Sequence, residues 1–133
     1  MTRSVDPDKA ANYLKKAEGS LHMARIAIKE GEFDSAVMNA VHSAITALDA
    51  LTASRRSERA SGSHTDVLSL IKGIFTADEY PDVEKQFTSL LGMKNTSEYQ
   101  PELMNRQDAE TAVKRAERLI SRVKEKLRAG SEP

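Results

Sequence analysis

Arg55, Arg56, Arg59 and His64 are the residues of this 133-residue chain whose types and spacing best suit a chemical reaction. Four residues separate Arg59 from His64. A histidine moves a proton near neutral pH, and an arginine holds a phosphate and stabilises developing negative charge, so the pair suits phosphodiester chemistry. The same residues also describe a solvated basic loop ahead of a helix start, and the spacing alone does not choose between the two. A second grouping is His42 and Asp49, seven apart with Asn39, Ser43 and Thr46 nearby. It reads either as a polar face in need of partners or a wet cleft, or as a half-exposed stripe or dimer surface.

Metal and cofactor chemistry find no foothold, and neither is expected. The three histidines, His22, His42 and His64, lie 20 and 22 residues apart, with no His-Glu-x-x-His run and no Glu-x-x-His pair. There is no cysteine, which excludes disulfides, thiolate zinc sites and cysteine nucleophiles. Neither a glycine-rich phosphate loop nor a nucleophile elbow is present. Residues 114–128 carry seven basic side chains against Glu117 and Glu125. Such a stripe either follows a nucleic-acid backbone or is a solvated helix face, with the acidic residues 78–84 as its counter-charge.

The bulk numbers bound the answer. The length suits one domain spanning residues 1–133, with tails expected to fray at 1–5 and 129–133. Twenty basic residues balance twenty acidic ones, which argues against wholesale attraction to nucleic acid or an anionic membrane but allows a local patch. No stretch nears the roughly 20 apolar residues of a membrane span. The first residues lack the apolar centre of a signal peptide, so the expectation is cytoplasmic, with no membrane partner.

The elements that must position these residues are helical. Residues 34–53 carry small or apolar side chains at Ala36, Val37, Ala40, Val41, Ala44, Ala47, Leu48 and Leu51, a helical step that lets other helices approach closely. Asp6–Pro7 starts an earlier helix and Gly31 stops it, which makes an antiparallel pair with the helix opening at Phe33. Residues 54–65 read as an exposed loop. A third helix carries Val67, Leu68, Ile71 and Phe75. A short fourth is expected from Asp82 to a stop at Gly92, and residues 93–104 read as irregular. Asn105 and Asp108 form a capping pair for the last helix, whose period runs Ala109, Ala112, Ala116, Leu119, Ile120 and Val123. No strand-like alternation appears. The expectation is an all-α, up-and-down bundle of about five helices, three long and two short. Apolar residues around much of the second helix imply more apolar face than one subunit covers, and hence a homodimer.

This layout resembles the HEPN domains, small all-helical proteins of bacteria and archaea. The resemblance rests on YLKKAEGSLHMARIAIKEGEFDSAVMNAVHSAITALDAL, on SHTDVLSLIKGIF and on GMKNTSEYQPELMNRQDAETAVKRAERLI, and it runs from about Pro7 to Leu127. Many HEPN proteins are metal-independent RNases, often toxins of toxin–antitoxin pairs, in which two subunits bring Arg-x(4–6)-His motifs together across a dimer cleft. The matching place here is Lys94-Asn95-Thr96-Ser97-Glu98-Tyr99, with lysine for the arginine and tyrosine for the histidine. An unperturbed tyrosine titrates near ~10, so the proton carrier is gone. The resemblance therefore implies a non-catalytic homodimeric module that binds nucleotide or RNA, or a protein such as an antitoxin. Lys94 would hold phosphate and Tyr99 would stack on a base, with Asn95, Asp49, Arg55, Arg56, Arg59 and His64 as further ligand-binding candidates. The alternative is a metal-independent endoribonuclease that uses His64, or His42, with Arg56 or Arg59.

Overall fold

Asp6 accepts a hydrogen bond from the Asp8 N–H at 2.9 Å, capping a 3-10 turn at Pro7–Lys9 that feeds α1, Ala10–Lys29. The computed structural model describes residues 2–60 and 64–131, with side chains at all of these but 64, 65, 130 and 131. Gly31, at φ +76°, lets the chain reverse as a non-glycine residue would only under strain. The second helix, α2, Phe33–Arg56, then returns against α1. Alanines 17, 24, 36, 40, 44 and 47 are fully buried, and the absence of bulk at these points brings the backbones close.

α2 is the central element. Fourteen of its residues are buried, and α1, α5 and α4 all pack on it within the one chain. The apolar face expected to await a second subunit is therefore covered by the chain's own helices. The exposed large apolar residues lie elsewhere, at Met23, Tyr99 and Leu103.

α3 spans His64–Ile71, α4 Tyr80–Tyr99 and α5 Arg106–Ser131. Among the described residues five α-helices are present, as expected, but the fourth is long. Gly92 does not stop α4, because the helix end is fastened beyond it. Ser97 donates to Asp34 at the start of α2 at 2.9 Å, and the Met104 N–H donates to the same carboxylate at 3.3 Å. A long-range tether of this kind outweighs the roughly 1 kcal/mol helical penalty of one glycine. Only residues 100–105 are irregular between α4 and α5. The Asn105–Asp108 capping box forms as read, with reciprocal bonds of 3.0 and 2.8 Å. α5 continues past Arg128, where a frayed tail was expected.

The basic segment after α2 is the larger correction. Residues 54–56 belong to α2 itself, which ends at Ser57 in the left-handed conformation, φ 55°. Glu58–Ala60 (β2) pairs antiparallel with Thr2–Ser4 (β1), aligning Arg3 with Arg59, and the Val5 N–H donates to the Ser57 carbonyl at 2.8 Å. The first residues are thus a strand where a loose tail was expected. Three-residue strands are too short to show alternation in the sequence, which explains the miss.

Candidate functional site

At the C-terminal end of α2 the arginines are engaged by backbone. Arg55 donates to the Lys126 carbonyl on α5. Arg56 donates through Nε to the Leu70 carbonyl at 2.7 Å and through a terminal nitrogen to the Lys72 carbonyl at 3.1 Å. These carbonyls close the end of α3, where helices leave acceptors unpaired. Gly73 sits at φ +94°, and a Cβ there would stand 3.3 Å from the Arg56 guanidinium. Arg59 lies on β2 near Asp49. Asp49 is only 8% exposed, and burial pushes its carboxyl up to about 6, with the Arg59 charge opposing that rise. His64 opens α3, but its side chain lies outside the described residues.

The His42–Asp49 stripe does not form one polar face. His42 is exposed while Asp49 is buried. Asn39, Ser43 and Thr52 donate back to the carbonyls of Ser35, Ala40 and Asp49 on their own helix, at 2.9, 2.7 and 3.3 Å. Local back-bonding of this kind lets small polar residues sit in a core helix without an external partner.

The Lys94–Tyr99 step occupies the last turns of α4. Lys94 forms an ion pair with Glu98 at 2.8 Å, which raises its affinity for its proton. Asn95 is exposed and Tyr99 is 74% exposed. Ser97 anchors this step to Asp34, whereas Arg55 lies 21 residues further along α2, roughly 30 Å away at the ordinary helical rise. Within one chain, Lys94, Asn95 and Tyr99 and the Arg55–Arg59 segment stand at opposite ends of the bundle.

The stripe on α5 meets the acidic counter-charge foreseen for it. Asp82 accepts from Nε of both Arg118 and Arg122 at 2.9 Å, and Glu79 pairs with Lys126 at 2.6 Å. The Arg118 hydrogen bond, ahead of those from Gln86 and Arg122, holds the Asp82 carboxyl down at about 2. Between α4 and α5 runs an open groove of about 520 Å³ lined by Gln86, Thr111, Lys114, Arg115, Glu117, Arg118 and Ser121. None of these was a candidate by sequence except as an undifferentiated basic stripe. The helical spacing of Thr111, Lys114, Arg115 and Arg118 was the available signal. Among the described residues no three His, Cys, Asp or Glu side chains are grouped to hold a metal ion, and no helix is long and apolar enough to cross a membrane.

These helices define a known class. The family model of the HEPN domain matches residues 10–126, and the chain belongs to the HEPN family. The crystal structure of TT1696 from Thermus thermophilus superposes with a TM-score of 0.68 at 21% identity, covering 89% of this chain and 98% of that one. At that identity the likeness shows the shared fold. No curated protein matches the chain.

Proposed function

We propose that the chain is a HEPN-type module that binds nucleotide or RNA as a homodimer without cutting it. What carries this is Tyr99, which the resemblance sets in place of the family's catalytic histidine and which keeps 74% of its surface exposed. An exposed phenol offers a flat face on which a base stacks. Lys94 supplies the cation, shared with Glu98, and Asn95 offers an amide on the exposed surface. HEPN family membership supports a nucleotide-binding or RNase-like module, and its members commonly dimerise. Two copies would set their Lys94–Tyr99 steps across one cleft, with exposed Leu103 beside it. A protein ligand such as an antitoxin is the other occupant of such a cleft.

One observation favours the enzymatic alternative. Asp49, pushed up to about 6 beside Arg59, is a carboxyl that titrates near working pH, as general acids and bases do. Against it, Arg56 already gives two hydrogen bonds to carbonyls. The test is single-stranded RNA incubated with the protein in excess chelator. The expected result is intact RNA, bound saturably by the native chain and more weakly by Tyr99→Ala. Cleavage that persists in chelator and vanishes in His64→Ala would instead establish the nuclease. Sizing across micromolar concentrations checks the dimer, and a monomer throughout that range removes it.

A further inference from the structure

We infer that the groove between α4 and α5 is a separate binding site for closely spaced phosphates, at a distance from the Lys94–Tyr99 step and independent of what that step binds. The inference starts from an imbalance in hydrogen-bond partners. Asp82 is one carboxylate, yet it accepts from two guanidiniums, and through Gln86 it reaches a third. Gln86 donates to Asp82 at 3.3 Å and accepts from Arg115 at 2.9 Å. Arg118 and Arg122 each use Nε on Asp82, which holds the planes still, and among the described residues their terminal N–H groups make no hydrogen bond. A guanidinium fixed along one edge presents the other as a ready fork for an oxyanion, and little side-chain entropy remains to be lost on binding.

The other lining groups agree. Lys114 is exposed and has no ion pair among the described residues. Glu117, the one carboxylate in the lining among the described residues, is taken by Arg25 at 2.8 Å. Thr111, Lys114, Arg115, Arg118 and Ser121 follow one face of α5 over ten residues, roughly 15 Å. Cations therefore occupy the middle of the groove and hydroxyls its two ends. Three cations rooted within about 6 Å along the axis, in a lining that hydroxyls extend to about 15 Å, offer donors to two neighbouring phosphates. A polyphosphate tail of a nucleotide and the backbone of a single-stranded nucleic acid both offer that chemistry.

Titration of the full chain at fixed ionic strength with pyrophosphate, orthophosphate, sulfate and a ten-residue oligouridylate tests the site. Pyrophosphate is expected to bind at least about tenfold more tightly than orthophosphate or sulfate, in line with added charge-assisted hydrogen bonds. Lys114→Glu, on an exposed position, is expected to weaken pyrophosphate about tenfold or more with melting unchanged. Arg118→Gln should do the same while Arg122 still holds Asp82. If oligouridylate competes with pyrophosphate and its salt dependence falls in Lys114→Glu, the backbone of a strand is the source. If only pyrophosphate binds, the source is a small polyphosphate. Equal affinity for sulfate and pyrophosphate, or a pyrophosphate affinity untouched by Lys114→Glu, overturns the inference. So does loss of pyrophosphate binding in Tyr99→Ala, whereas weakened RNA binding alone in that variant concerns the Lys94–Tyr99 step.

Discussion

Two regions of this molecule combine arginines with an aspartate, and they reach opposite electrostatic results. At the end of α2, Arg55 and Arg56 give their N–H groups to the carbonyls of Lys126, Leu70 and Lys72. Asp49, buried earlier on α2 with the Arg59 charge in its favour, is driven up to about 6. Between α4 and α5, the guanidiniums of Arg118 and Arg122 converge on Asp82 and hold it at about 2. The same residue types thus make an architectural clasp in one place and a surplus of oriented donors in the other. A count of arginines does not tell a site from a brace; what the guanidinium edges already touch does.

The largest effect that would break this contrast is at Asp49. A folded pKa raised above the unfolded value means that the native state holds the proton more tightly. Stability then falls as pH rises from about 4 to about 6, by up to about 3 kcal/mol, and stays reduced above that window. Asp49→Asn is therefore expected to raise the melting temperature at pH 7.5 and to change it little at pH 4. An equal shift at both pH values would mean that burial does not disfavour the ionised carboxylate.

Asp82 carries the opposite sign. Its depressed pKa contributes stability that is present above the unfolded value near 4 and is lost as pH falls through about 2. Asp82→Asn should cost about 1–2 kcal/mol at pH 7, allowing for solvent screening, and almost nothing at pH 2. Denaturant melts at the two pH values read this directly, and a cost independent of pH would sever the link to the arginines.

A smaller change sharpens the comparison from the other side. Arg56→Met removes two hydrogen bonds at an exposed helix end, and a loss of about 1 kcal/mol is expected in chemical denaturation. Pyrophosphate and RNA affinities of the folded variant should stay as they were. A variant of native stability that has lost RNA binding would make Arg56 a ligand group after all.

Much of this was legible in local pattern, and what was not depends on distant contacts. The Asp6–Pro7 start, Gly31, the Asn105–Asp108 box and the period of α5 all act within a few residues, and each appears as read. The acidic counter-charge to α5 was also foreseen, because the opposing runs are dense enough to find one another. α4 was cut short at Gly92 because its anchor, Asp34, lies 63 residues from Ser97. Arg55 and Arg56 looked like free cations because their acceptors are main-chain carbonyls, which no side-chain pattern reveals. Asp49 carried no mark of burial, since that follows from how elements distant in sequence, among them β2 with Arg59, close over α2. The groove on α5 was missed as a site because the sequence shows its charges but not which of them one carboxylate must share.

The contrast between the two arginine regions is tested most directly by following arginine side-chain N–H resonances by NMR while pyrophosphate is added to the full chain. The signals of Arg115 and Arg118 are predicted to move and saturate while those of Arg55 and Arg56 stay fixed. Movement of Arg55 and Arg56 with Arg118 unchanged would contradict the account.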